Sequence, residues 1–224
     1  LKSFTIALCI VIAILAGSVS NSTGDPGGSV LDSRVNCAQT NCNQAYLRFI
    51  DEKNPRLNKK TAREIIAAVK HFAPRYFGEG SVLENGTEIT ISIMGVESHF
   101  NPNALGDLNY KDGPAYSLMQ ILEPTAENAK KYNGIKAAKN LMGLWDNIHL
   151  GMAEINRLHE RYDGDWQATV TAYNMGHENV DKIIKGSGLA NYSDYWVKVE
   201  RNKQRINYIK EEIYVQNLTA KLKQ

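Results

Sequence analysis

Apolar and polar positions follow three regimes along the chain. Behind Lys2 runs an unbroken apolar stretch, FTIALCIVIAILAG. It is followed by NSTGDPGGSVLDSRVNCAQTNCNQ, rich in Gly, Ser, Asn and Asp and without a periodic apolar face. From about Asn58 the pattern turns helical. In TAREIIAAVKHFAPRYF, Ile65, Ile66, Val69, Phe72 and Ala73 recur at helical spacing, and Thr61 with Glu64 forms a capping-box pair that predicts the helix start. WDNIHLGMAEINRLHERY sets Trp145, Ile148, Met152, Ile155 and Leu158 on one face, an amphipathic helix. Asp165 is the expected N-cap of a further helix through DWQATVTAY. DYWVKVERNKQRINYIKEEIYVQNL predicts one or two helices more. Asn85-Gly86 is a hairpin-type dipeptide, but no convincing strand pair flanks it. The class read from the pattern is mainly α.

One segment is ambiguous. In TEITISIMGVE, Ile89, Ile91 and Ile93 alternate as in a strand, while Ile89, Ile93 and Val96 also share a helical face. The helical alternative places Glu97 one turn beyond Ile93, at the edge of the inward face. A carboxylate there is costly to bury unless neutral or paired. Glu97 is therefore salt-bridged, exposed, or tuned to carry a proton, and the third option is catalytic.

The apolar run has the length of a signal-peptide core and falls short of the ~20 residues a membrane span needs. Residues 1–20 are accordingly expected to be a signal peptide, cleaved between Ala16 and Asn21, or an N-terminal anchor. Export follows, to a periplasm, cell envelope or extracellular space, with membrane contact only through this segment. LAGS lacks the cysteine of a lipoprotein signal. Residues 21–57 read as a linker or cap and 58–224 as the main domain, including the C-terminal helices. Cys9 lies in the expected signal, which leaves Cys37 and Cys42; a small disulfide loop is their simplest use in an oxidising compartment.

Composition narrows the partners. The 224 residues carry a formal net charge of only +2, with Lys and Arg scattered, and nothing calls for nucleic acid. Lys198, Arg201, Lys203, Arg205 and Lys210 gather near the C-terminus, but Glu200, Glu211 and Glu212 intersperse them, as on a solvated helix face. The Cys37/Cys42 pair has no second Cys or His pair to complete a zinc site, and the five histidines are dispersed. No metal or cofactor is expected.

Four blocks in order resemble one family. GVESHFNPNA resembles its ESxFNPxA acid motif, AYSLMQILEPTA its GLMQIxPxTA motif, LWDNIHLGMAEINRL its helix with Asn-Ile and a following Gly, and TAYNMGHENV its AYNAGxxxV motif. These are signatures of the soluble lytic transglycosylase (SLT) domain, and the resemblance covers roughly residues 60 to 185. It implies a lysozyme-like helical fold with a substrate cleft. It also implies lytic cleavage of the β-1,4 bond between N-acetylmuramic acid and N-acetylglucosamine in peptidoglycan glycan strands. In that reaction Glu97 gives its proton to the glycosidic oxygen and then, as carboxylate, takes one from the muramyl 6-hydroxyl, closing a 1,6-anhydro ring. The substrate's acetamido group supports the intermediate in this family, so no second carboxylate is required. Ser98 is implied to bond sugar or backbone, Met119 and Gln120 to line the cleft, Tyr173 to bring its hydroxyl near the acid, and Asn174 to hold the sugar or the loop. For Ser98, capping and local backbone bonding are equal alternatives, and a Met is otherwise core filler.

The departures are specific. Ser117 stands where the family usually has Gly, Met175 replaces a small residue, and His177 with Glu178 takes the place of a Pro-Gly turn. The stretch LGDLNYKDGPAYSLMQ is longer than the common pattern and supplies Asp107 and Asp112. With Glu97-Ser98-His99 and Gly106-Asp107 it also resembles goose-type lysozyme, in which a second carboxylate activates water; Asp107 or Asp112 would fill that role in a hydrolase. A loop Asp beside Gly is otherwise a turn former. DLNYKDG misses the EF-hand pattern by one residue, and Leu118 falls where its terminal Glu ligand belongs. Two non-enzymatic readings stand beside these: a peptidoglycan-binding module on the same cleft, and a recruitment protein in an envelope or secretion machine that docks a partner through the Cys37/Cys42 segment or the basic C-terminal helices.

Overall fold

The computed structural model describes residues 42–187 and 194–223, which form eight helices. They are α1 (Cys42–Lys53), α2 (Lys59–Phe77), α3 (Gly80–Glu97), α4 (Glu123–Asn133), α5 (Leu144–Arg161), α6 (Trp166–Met175), α7 (His177–Ser187) and α8 (Asp194–Lys221). Among the described residues, strand-like pairing is limited to two isolated antiparallel bridges, Leu105 with Tyr116 and Tyr116 with Ile121. The mainly α expectation is met. The described residues belong to a unit spanning Val35–Gln224. The expected signal or anchor, residues 1–20, lies outside them.

The ambiguous segment is the C-terminal half of α3, the helix at the centre of the fold. Ile89, Ile91, Ile93, Met94, Thr90 and Ser92 are all fully buried. A helix surrounded on every side has no polar face to mark the 3.6-residue period, so its apolar residues can mimic strand alternation. Thr87 and Thr90 donate their hydroxyls to the carbonyls of Leu83 and Gly86, which satisfies these buried groups inside the helix. Gly86 is a packing glycine instead of a hairpin residue: a Cβ there would stand 2.3 Å from the Phe77 ring.

Other helices pack around α3. Helices α2 and α8 lie against it, α5 bridges α2, α4 and α6, and α1 packs on α8 and α2. The linker-or-cap segment thus carries α1, which places Ala45, Tyr46, Phe49 and Ile50 in the core. Cys42 is disulfide-bonded; Cys37, its expected partner, lies outside the described residues. The face predicted for α5 is observed, with Ile148, Met152, Ile155 and Leu158 buried, whereas Trp145 is 39% exposed and donates from its indole to Glu64. The start of α2 differs from expectation. Asn58 is the N-cap, accepting from the Lys60 amide at 2.8 Å, which leaves Thr61 and Glu64 inside the helix. Asp165 caps α6 as expected, accepting from the amides of Gln167 and Ala168. The C-terminal segment is one helix, α8.

Candidate active site

A carboxylate at the last residue of α3 meets three influences. Helix carbonyls without intrahelical partners surround the C-terminal turn, which has no basic side chain to offset them. Burial among apolar neighbours pushes the Glu97 carboxyl above the ordinary carboxylate range. A hydrogen bond from the Tyr195 hydroxyl to Oε1, 2.5 Å long, pulls in the opposite direction without cancelling the burial effect. Burial, and then the nearby Glu97 charge, hold both Tyr195 and Tyr173 well above the usual phenol range, so each remains a proton donor. Of the three outcomes open to Glu97, the salt bridge does not occur among the described residues.

Glu97 lies in a cleft of about 330 Å³ whose walls include Asp107, Tyr110, Gln120, Tyr173 and Asn174, with Ile121 and Leu122 among its apolar surfaces. The chain reaches these positions through backbone in the left-handed region. His99 (φ 49°) and Phe100 (φ 59°) turn it sharply away from α3, and Phe100 is then fully buried edge-on against Phe49. Ser117 (φ 59°) and Gln120 (φ 48°) fold the SLMQ segment into a tight turn in which the Gln120 side chain donates to the Ser117 carbonyl. The positive φ at Ser117 explains why glycine suits that place, since only glycine adopts it without steric cost. Here the Ser117 hydroxyl gains a bond to the Pro102 carbonyl at 2.9 Å.

Side chains from three other parts of the chain, Ser98, Asn147 and Tyr173, fix this turn. Ser98 is buried and offers its hydroxyl to the carbonyls of Leu118 (2.9 Å) and Met94 (3.2 Å). Its contacts are therefore with backbone, the second of its two expected roles. Asn147, fully buried on α5, accepts from the Met119 amide at 2.8 Å and donates to the carbonyls of Tyr116 and Leu141. Four residues on, Gly151 makes room for Met119, whose side chain would lie 2.7 Å from a Cβ at that position.

The expected site residues thus separate. Gln120, Tyr173 and Asn174 join Glu97 in the cleft. Met119 does not line it: the side chain is fully buried against α5, because the turn that exposes Gln120 drives its neighbour inward. Tyr173 sends its hydroxyl to the Met119 carbonyl at 2.8 Å, and the hydroxyl bonded to the acid belongs to Tyr195. Asp107 is exposed on the cleft wall, where Oδ1 accepts from the Asn109 amide as a turn former does. Asp112 is not among the residues lining the cleft and pairs loosely with Lys111 at 3.8 Å. Among the described residues no three His, Cys, Asp or Glu side chains gather as a metal-holding group.

Sequence reasoning missed Tyr195. The chain has 11 tyrosines, and this one sits 98 residues from Glu97 in the first turn of a largely polar helix. No local pattern distinguishes it.

Comparison with known proteins gives three findings. A family model described as "Transglycosylase SLT domain" matches residues 83–195, a stretch running from early α3 to Tyr195. Two curated proteins named membrane-bound lytic murein transglycosylase D, from Escherichia coli K12 and from E. coli O6:H1, are 35% identical over 105 residues. The alignment takes in 45% of this chain and 21% of each relative, so the chain spans about a fifth of their length. A solved structure of an inactive mutant of the lytic transglycosylase Slt from Pseudomonas aeruginosa is 19% identical, covering 89% of this chain and 38% of that one with a TM-score of 0.41.

Proposed function

The chain belongs to the transglycosylase SLT domain family, and from that premise we propose that it is a peptidoglycan lytic transglycosylase with Glu97 as its single acid and base. The observation that carries the reading is the state of Glu97. A carboxyl group held above its ordinary range by burial, in an open cleft and hydrogen-bonded by a tyrosine that keeps its own proton, suits proton donation to a leaving oxygen.

Glu97 protonates the glycosidic oxygen between N-acetylmuramic acid and N-acetylglucosamine as that bond breaks. The resulting carboxylate is stabilised by the Tyr195 hydroxyl, and it then takes the proton from the muramyl 6-hydroxyl as that oxygen closes onto the anomeric carbon. The acid is regenerated and water is not consumed. Gln120 and Asn174 offer amide donors and acceptors to the sugar, while Ser98, Asn147 and Tyr173 hold the SLMQ turn. The protein is an exported one acting in the periplasm or cell envelope, with residues 1–20 as signal or anchor and no cofactor. An envelope or secretion-machine partner would engage surfaces away from the cleft.

A hydrolytic reading with Asp107 as a second carboxylate is weaker. That residue's Oδ1 already serves its own turn. The two are separated by digesting purified peptidoglycan and identifying the ends of the released muropeptides. Glu97→Gln is expected to abolish release, while Asp107→Asn leaves anhydromuramic acid as the product end. Release by Glu97→Gln, or a reducing product end from the unsubstituted chain, overturns the proposal.

A further inference from the structure

The loop between the ESHFNPNA and SLMQ blocks is longer than its family pattern, and the roles assigned above do not use its form. Its two stems are tied antiparallel. Ser117 donates its amide to the Ala104 carbonyl and Gly106 to the Ala115 carbonyl, each at 2.8 Å. Gly106 permits the close approach, since a Cβ there would lie 3.1 Å from the Ala115 backbone nitrogen. Two successive turns follow, the first closed by the Tyr110 amide on the Asp107 carbonyl and the second by the Gly113 amide on the Tyr110 carbonyl. The Asp107 side chain braces the first turn through the Asn109 amide at 2.9 Å. Tyr110 is the residue at which the two turns meet.

That scaffold holds a large aromatic side chain in the open. Tyr110 is 50% exposed while lining the same cleft as Glu97, Gln120 and Asn174. Leaving so much ring surface in water contributes little to folding. A pyranose ring has an apolar C–H face with polar groups at its rim. An exposed aromatic face beside amide donors and acceptors is complementary to it, in the way aromatic side chains serve ligands that are apolar on one side and wet on the other.

We propose that Tyr110 is a saccharide-stacking residue that sets the grip of the cleft on the glycan strand beside the bond at Glu97. The proposal rests on the reading of the cleft as a peptidoglycan site. Binding is measured by calorimetry with a soluble tetrasaccharide of alternating N-acetylglucosamine and N-acetylmuramic acid, using the full chain carrying Glu97→Gln so that nothing is turned over. Adding Tyr110→Ala is expected to weaken binding about tenfold, the loss of one well-placed aromatic contact. Tyr110→Phe and Tyr110→Trp keep the affinity within about twofold, and Tyr110→Leu, apolar without an aromatic face, is as weak as Ala. Melting curves that superimpose on the parent's establish that the loop is intact. Tyr110→Ala binding as tightly as the parent, Leu binding as tightly as Tyr, or Phe as weak as Ala overturns the stacking role while leaving the cleft's function standing. A Glu97→Gln parent that does not bind the tetrasaccharide overturns the cleft reading itself, and the stacking role with it.

Discussion

Glu97 and Tyr195 form a hydrogen-bonded pair, each raised in pKa chiefly by burial. Burial raises the Glu97 pKa, and the Tyr195 hydroxyl favours the carboxylate that remains once the proton is given. In the proposed mechanism the general acid works in its protonated form, so activity is expected to fall as pH rises through the Glu97 pKa. Replacing Tyr195 by Phe removes a bond that stabilises the carboxylate and so raises that pKa. In Tyr195→Phe the alkaline limb of the pH–rate profile of muropeptide release is expected to move to higher pH. A limb that stays in place or moves to lower pH contradicts the pairing. At this scale the sequence was informative about the acid and silent about its partner. Glu97 is legible because an acid closing a run of apolar residues needs an explanation. Tyr195 is not, because its contact is made only when α8 crosses the end of α3. Met119 shows the opposite error: a motif placed it at the site, and the alternation of inward and outward side chains around a tight turn buried it.

Helix α8 holds α3 along its length. Beyond Tyr195, Asn202 is buried and donates to the Ser92 carbonyl at 3.0 Å, and Lys210, 2% exposed, bonds the carboxylates of Glu88 and Glu84. Glu88 is buried as well, so removing the ammonium leaves a carboxylate without its countercharge in a low-dielectric site. Lys210→Ala is expected to cost about 3 to 5 kcal/mol in denaturant unfolding. The double substitution Lys210→Met with Glu88→Gln should cost less, since no buried charge is stranded. A single substitution no more costly than a surface change would show that α8 does not anchor α3 in this way. The sequence showed α2 and α5 through one-sided apolar periods and α6 through its Asp165 cap. It obscured α3 for want of a polar face. In α8 the buried Asn202 and Lys210 interrupt the apolar stripe, and a lysine in a basic-looking segment gives no sign that it is a core ion-pair partner.

Across the whole molecule, the site is assembled from segments far apart in the chain. The end of α3 supplies the acid, the 98–122 segment the cleft wall and turn, α5 the Asn147 and Gly151 that seat the turn, α6 the Tyr173 and Asn174 pair, and α8 the hydroxyl on the acid. The four blocks that identify the family are legible as motifs because each carries a local backbone or packing requirement, such as the positive φ at Ser117 or the space beside Gly151. The shape of the 105–116 loop is not legible, since it depends on paired stems and turns that no short pattern announces. All of these parts bear on one claim, that a single carboxyl group cuts the glycan and the sugar's own hydroxyl replaces water. The most direct test is digestion of purified peptidoglycan in heavy-oxygen water, with mass spectrometry of the terminal muramyl residue. A one-carboxyl mechanism yields 1,6-anhydro ends that carry no solvent oxygen and that disappear with Glu97→Gln; reducing ends labelled with solvent oxygen rule it out.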